Sequence, residues 1–447
     1  MIDRLLHLDD ADVDAAMRDI DERFCERHRD LHAMFRTHAA VVTSRIDSEA
    51  HLSTTRQLLI GAAFTHEYTI EGAAICNPSA VLHPVQDATG KAAFIMSVRG
   101  IGEGHRSSIG FRTGTVSAQG AVTLDEPGPF AEVGAVTPGL HHRGALHAKL
   151  GVLHDDHENA AFVLDPLPAR FESFELDARL DELAAEAATR RETATTITHL
   201  RELARSSYRV AFDQSIPISE RVLWPLSPAE RHGMEDARFV RFIDDDGDVS
   251  YFGTYTAYDG RNIEQHLLTT TDFASFTVNP MAGPAAIGKG LALFPRRIHG
   301  CYVALSRSDR ETNGVAFSED LHCWPEAETI QSPTRSWEIL QLGNCGSPIE
   351  TTAGWLVLTH GVGPMRTYSL GALLLDLERP EHVLARTNEP ILSPGVDRNS
   401  GYVPNVIYSC GGFAHGDTLV LPYAIDDQSI SIATISIRAL LASMHTL

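Results

Sequence analysis

The chain has 447 residues, 43% hydrophobic and 21% charged, with a formal net charge of −22. That length exceeds an ordinary single domain, although large β-architectures run long as one unit, and the apolar share is ample for a core. The acidic balance argues against a nucleic-acid or anionic-membrane surface, either of which needs a basic face, but leaves room for an anionic small substrate in a local basic pocket.

The segment Met1–Asp10 turns acidic soon after its start and does not read as a signal peptide. No stretch reaches the roughly 18 to 20 apolar residues of a membrane span. From residue 1 to about 70 the pattern is helical. Asp9 or Asp10 can cap a helix with Val13, Ala16, Met17, Ile20 and Phe24 at helical spacing, and Leu31, Met34 and Phe35 continue it. A second helix is expected over Ser48 to Phe64, with Leu52, Leu58, Leu59 and Ala62 inward. No chemistry is visible in residues 1–71, which are expected to form a helical cap or the contact of a homo-oligomer.

From Ile75 the texture changes to short strands: Phe94–Val98, Ser107–Thr113 and Ala121–Leu124, the last two joined by a Ser117–Gly120 turn. Residues 129–206 interrupt it as an insertion, or as the second part of a helical subdomain shared with residues 1–70. Strands are expected over Gly144–Leu153 and Ala160–Leu164, then one long helix from about Asp177 to Ser206. His141, His142 and His147 lie near a loop there and are read as surface or structural residues. No H-E-x-x-H or similar ligand spacing occurs, so no metal is expected.

The stretch Arg231-His232-Gly233-Met234-Glu235-Asp236-Ala237-Arg238 sets two adjacent carboxylates between a glycine and an arginine, ahead of an apolar, β-prone run. In a regular strand successive side chains face opposite ways. Asp236 and Arg238 are therefore expected to share one face, with Glu235 turned away as a structural residue. On residues alone this is either a strand-entry turn with solvated charges or an acid held beside a guanidinium, as sugar- and phosphate-handling sites require.

Strand candidates then continue to the end: Phe239–Ile243, Val249–Tyr255, His266–Thr270, Ala292–Phe294, Tyr302–Ser306, Gly314–Phe317, Trp355–Leu358, Leu370–Leu375, Val406–Ser409, Thr418–Tyr423 and Ile430–Ile435. Turn signals punctuate them, and no helical run intervenes until the C-terminal segment. Acidic-aromatic turns at Thr271–Phe276 and Ser318–Trp324 recur after roughly fifty residues, a propeller-blade period. The expected fold is all-β, with about five such units in residues 72–128 and 207–447. The six cysteines form no C-x-x-C pair, so reduced, mostly buried thiols in a cytoplasmic protein are expected.

Several stretches together resemble glycoside hydrolase family 130, the inverting β-mannoside phosphorylases and β-1,2-mannosidases. They include Asn77-Pro78-Ser79-Ala80-Val81, Ser97-Val98-Arg99, Gly233–Arg238, Lys289–Pro295, Trp337-Glu338, Gly346–Thr351, Thr359-His360-Gly361-Val362, Tyr402–Val406 and Pro422–Asp426, in the family's order. The resemblance implies a five-bladed β-propeller with its site at one mouth of the central channel. The family's Glu-Asp-Pro-Arg is Glu-Asp-Ala-Arg here, a change that only loosens φ. The helical N-terminus and the 129–206 insertion are absent from the shortest members.

By this resemblance Asp236 is the catalytic acid, acting through a hydroxyl of the bound mannose. Asn77, Arg99, Arg238 and Asp426 would contact sugar, and Lys289, Arg307 and His360, with Arg366 and Tyr368, would clamp phosphate. Taken one by one each has a plainer reading: His360 shapes a turn, Lys289 is a loop lysine between glycines, and Asp426 belongs to an acidic turn. Inverting cleavage needs an acid and a nucleophile on opposite faces of the sugar. A hydrolase uses a second carboxylate to activate water, for which Glu264 and Glu350 are candidates. A phosphorylase uses phosphate, which needs fixed cations and no base. The expected activity is phosphorolysis of β-mannosides to mannose 1-phosphate, with phosphate as co-substrate and no other cofactor. Hydrolysis and a non-catalytic glycan- or protein-binding propeller are the alternatives.

Overall fold

The computed structural model describes residues 1–43, 52–67, 72–86, 90–155, 157–395 and 401–446. The chain divides into two compact units, Met1–Ile70 with Gly128–Glu132, and Glu71–Pro127 with Val133–Leu447.

The first unit is helical, as its apolar spacing predicts. Asp9 caps the helix Asp10–Phe24 by accepting from the Asp12 amide at 2.8 Å, and Ser53 caps Thr54–Ala63 by accepting from the Arg56 amide. The expected second helix thus begins at Thr54; its Ser48–His51 part lies outside the described residues. Val13, Met17, Leu31, Phe35, Leu58 and Leu59 form the core of this unit. A β-carbon at Gly61 would lie 1.9 Å from the Phe35 carbonyl oxygen, so glycine permits this close helix crossing.

The second unit is mostly β-sheet. Most of its strands fall into five successive antiparallel groups, each containing at least four strands. The first is Ala74–Leu82, Ala92–Ile101, Ser107–Val116 and Val122–Leu124. The second is Gly233–Ile243, Val249–Tyr258, Ile263–Thr270 and Ser275–Pro280. The third is Ala292–Leu293, Tyr302–Ser306, Asn313–Ser318 and Glu328–Gln331. The fourth is Gln341–Asn344, Gly354–Val362, Tyr368–Leu375 and Val383–Arg386. The last is Ile407–Tyr408, Phe413–His415, Thr418–Ile425 and Ser429–Ser436. A bridge between Gly233 and Ser107 joins the first two groups into one larger sheet. The last group returns to the first: the Cys410 amide donates to the Pro78 carbonyl at 2.8 Å, and the Ala80 amide to that of Gly411 at 3.1 Å. Phe413 and Val420 pack with Phe94, Met96 and Val98 in one buried cluster.

The insertion corrects two expectations. Its first part is helical, over Arg143–Val152 and Glu158–Leu164, where strands were expected. A short apolar run does not distinguish a strand from a buried helix, and packing decides. Its second part is two helices, Ser173–Ala185 and Thr193–Ala204, not one. The chain reverses between them at Glu192, whose φ of +58° is left-handed. A single thirty-residue helix would extend about 45 Å and carry its two ends apart. Folding back instead buries Leu176, Leu180, Leu183 and Leu200 in one cluster with Leu146, Leu150, Val163 and Leu164. The flanking strands Ala135–Pro138 and Tyr208–Ala211 pair with each other, and the latter extends the second group through Ser275–Pro280.

Among the described residues no helix is long and apolar enough to cross a membrane.

Candidate active site

Two β-bulges build the centre of the site. On the strand Gly233–Ile243, Glu235 pairs with Thr256 and Arg238 with Thr254, so Asp236 and Ala237 together oppose a single residue. Asp236 takes a φ of +57°, rare for a residue with a β-carbon. On Ala74–Leu82 the register shifts between Cys76 and Ser79, and Asn77 takes a φ of +48°. The bulges aim their residues at each other: the Asn77 amide nitrogen donates to Asp236 Oδ1.

The bulge also overturns the expected separation of the two carboxylates. Strict alternation stops at Asp236, so Glu235 joins the same charge cluster. Arg99 donates from Nη2 to Glu235 Oε1 at 2.7 Å and from Nη1 to Asp236 Oδ1 at 3.4 Å. Lys289 Nζ donates to Glu235 Oε2 at 2.6 Å. Arg238, expected to share the Asp236 face and to meet sugar, is fully enclosed. It donates to the Cys345 carbonyl, the Tyr408 hydroxyl and the main-chain carbonyl of Asp236 itself, each at 2.8 to 2.9 Å. Its role in the geometry is to hold the bulge from below.

A cavity of about 550 Å³ opens above this centre. Asn77, Arg99, Asp236, Lys289, Arg307, His360, Arg366 and Tyr368 all line it, so eight of the ten residues expected at the site converge there from distant parts of the chain. Arg238 and Asp426 do not. Asp426 is buried against the Val406 amide, at 3.4 Å, and its neighbour Asp427 lines the cavity in its place. Both have φ near +50°, a sharp turn that reverses which of two adjacent aspartates looks inward. Sequence reading also passed over Gln341, Asn405 and Tyr408. Asn405 lay in a stretch already picked out by its resemblance; Gln341 and Tyr408 carried no local signal. The candidate bases Glu264 and Glu350 lie elsewhere, Glu264 paired with Lys149 at 2.7 Å and Glu350 with Arg296 at 2.9 Å. A larger cavity, about 860 Å³, is lined by residues such as Arg106, Arg201, Arg205 and Arg231 and holds none of the expected catalytic groups.

Electrostatics divides the smaller cavity. Burial alone would raise the Asp236 carboxyl, but Lys289, Arg99 and Arg238, with the Asn77 hydrogen bond, overcome it and hold the group at about 2. Asp427 is moved the other way, to about 6, by burial and by the Asp236 charge. Opposite them lies Arg307, buried and pushed below the ordinary arginine range by desolvation. It forms no ion pair among the described residues, its Nε has no hydrogen-bond partner, and its one bond is a 3.5 Å contact from Nη2 to the Arg310 carbonyl. A β-carbon at Gly343 would lie 2.0 Å from that Nε, so this glycine makes the space for the guanidinium. Burial, with Arg307 and Arg238 nearby, drives His360 well below the usual imidazole range, and its Nδ1 is also without a partner. Among the described residues Arg366 donates to the Tyr368 hydroxyl alone, at 3.4 Å. Fixed, unneutralised donors around an open volume suit an oxyanion with several oxygens.

A buried carboxylate among hydrogen-bond donors, facing a cationic pocket, defines the class of site that acts on a polyhydroxylated substrate together with an anion. Residues 192–446 match the family profile described as beta-1,4-mannooligosaccharide phosphorylase, and the chain belongs to this family, glycoside hydrolase family 130. It is similar to a 1,2-beta-oligomannan phosphorylase of Thermoanaerobacter sp. (strain X514), 32% identical over 243 residues that cover 53% of this chain and 80% of that one. It is also similar to a beta-1,2-mannobiose phosphorylase of Listeria innocua, 31% identical over 230 residues covering 50% of this chain and 63% of that one. The solved structure of a Listeria innocua beta-1,2-mannobiose phosphorylase in complex with beta-1,2-mannobiose aligns at a TM-score of 0.47 and 21% identity, over 83% of this chain and 92% of the other.

Proposed function

We propose that this enzyme cleaves β-mannosides by phosphorolysis with inversion, releasing α-mannose 1-phosphate. The observation that carries the proposal is Arg307, a buried guanidinium with no carboxylate in ion-pair reach among the described residues, beside His360, Arg366 and Tyr368. An unpaired buried cation is costly in the empty protein, and a phosphate dianion offsets that cost. Phosphate held there attacks the anomeric carbon, and the glycosidic oxygen leaves with a proton supplied by Asp236 through a sugar hydroxyl. Asp236 is ionised in the empty site. An arriving dianion opposes the field of the surrounding cations, and bound sugar removes water; both raise the carboxyl toward the protonated form the reaction needs. Asn77 and Arg99 are then placed to orient the sugar beside Asp236.

One observation favours the hydrolytic alternative: Asp427, at about 6, is a cavity carboxyl with the basicity to activate water. The products separate the two readings. Incubation with β-1,2- and β-1,4-linked manno-oligosaccharides is expected to give mannose 1-phosphate only when phosphate is present. Free mannose, formed equally without phosphate, would establish hydrolysis instead.

We further propose that the five strand groups are the blades of a five-bladed propeller. Two features support this: each group has four antiparallel strands, and hydrogen bonds run from the last group back to the first. The cytoplasm is the compartment we propose, on the ground that all six cysteines are unpaired.

A further inference from the structure

A second constellation lies away from this cavity, between the helical insertion and the third group of strands. His142 immediately precedes the helix Arg143–Val152, and Asp320 and His322 belong to the turn after the strand Asn313–Ser318. One ligand atom from each of the three side chains lies within 4.8 Å of the others. The two imidazole rings face each other with centroids 3.4 Å apart and planes 33° from parallel.

The turn that carries two of these groups is rigid. Asp320 Oδ1 accepts from the His322 amide at 2.9 Å, the Ser318 hydroxyl donates to the carbonyls of Asp320 and Cys323, and the His322 carbonyl accepts from the Ala282 amide at 2.8 Å. His322 is 6% exposed, and its Nδ1 is buried with no hydrogen-bond partner. A buried imidazole nitrogen left unsatisfied, on a ring beside a second imidazole and a carboxylate, is costly unless something bonds to it.

We propose that His142, Asp320 and His322 bind a divalent transition-metal ion of the zinc class, which fastens the insertion to the third group of strands. Two imidazoles and one carboxylate are the donor set such ions prefer, whereas calcium and magnesium take oxygen ligands. Ligand atoms around zinc lie about 2.0–2.2 Å from the metal, and two imidazoles on one ion stand farther apart than these rings do, so binding requires the His142 and His322 rings to swing apart around it. The guanidinium of Arg170, on the strand that pairs with His141–His142, is a nearby cation working against the ion. His142 and His322 are 180 residues apart in the chain, which is why no ligand spacing appears in the sequence. None of the three lines the catalytic cavity, so the ion is structural.

The test is titration of the chelator-treated full-length protein with zinc alone, read by calorimetry and by thermal melting, with cobalt(II) absorption as a second readout. One equivalent is expected to bind and to raise the melting temperature. His142→Ala and Asp320→Asn, both at less buried positions than His322, are each expected to weaken binding by about 10- to 100-fold while leaving turnover of the metal-free protein unchanged. Arg170→Met is expected to tighten binding several-fold, an effect that a purely structural histidine pair would not show. Absence of stoichiometric binding to the wild-type chain, or equal binding by the wild type and both weakened variants, overturns the proposal.

Discussion

The two halves of the cavity hold charge in opposite ways. Around Asp236 the charges are paired, with Asp427 the exception: Arg99 spans Glu235 and Asp236, and Lys289 closes on Glu235. Around Arg307 the cations form no ion pair among the described residues, and burial drives His360 toward its neutral form. The first half is a neutral, hydrogen-bonding surface that fixes a carboxylate. The second is an incomplete electrostatic arrangement that an anion would finish. Catalysis by positioned charge benefits from both, since the donors need no reorganisation when the substrate arrives.

The comparison is most severely tested at Asp236. Asp236→Asn is expected to lower turnover by roughly 10²–10⁴-fold, the usual worth of a positioned proton donor, with an unchanged far-ultraviolet dichroism spectrum. Turnover within a few-fold of wild type would remove this residue from the reaction. Next comes Arg307→Met, for which kcat/KM toward phosphate should fall by about 10²-fold. The variant's urea midpoint should hold or rise, because an unpaired buried cation has been removed. A large loss of stability with an unaltered phosphate KM would mean that Arg307 is a structural residue and the two halves do not differ as argued.

On the paired side, Glu235→Gln leaves Lys289 and Arg99 with a single carboxylate between them. It should cost roughly 1–3 kcal/mol of unfolding free energy, read from denaturant curves. The smallest effect is expected at Asp427. Its folded-state value of about 6 lies above its ordinary 3.8, so between those values the native state holds a proton that the unfolded chain has lost. The wild type should therefore lose stability as the pH rises from about 4 through 6. Asp427→Asn should escape that loss and gain on the order of 1 kcal/mol over wild type at pH 8, with the difference vanishing toward pH 4. Parallel stability curves for the two proteins would show that Asp427 titrates normally and is no candidate base.

The sequence by itself determined the elements whose signal is local. The Asp9 cap and the apolar spacing of Val13 and Met17 specify a helix, and short β-prone runs bounded by turn signals, such as Thr418–Tyr423 after His415-Gly416, specify strands. The ordered motifs also pointed to Asn77, Arg99, Asp236, Lys289 and His360, which line one cavity together with Arg307. Only the tertiary structure decided how those residues use their charge. Two facing bulges put Glu235 beside Asp236 and sank Arg238 beneath them, and a left-handed turn exchanged Asp426 for Asp427. The same holds for the insertion, where a shared core chose helices over strands. A change of φ sign at a residue with a β-carbon leaves no trace in periodicity, since contacts made far along the chain hold it in place. Whether a buried cation is paired or open likewise depends on distances between residues more than a hundred positions apart, as between Arg99 and Asp236.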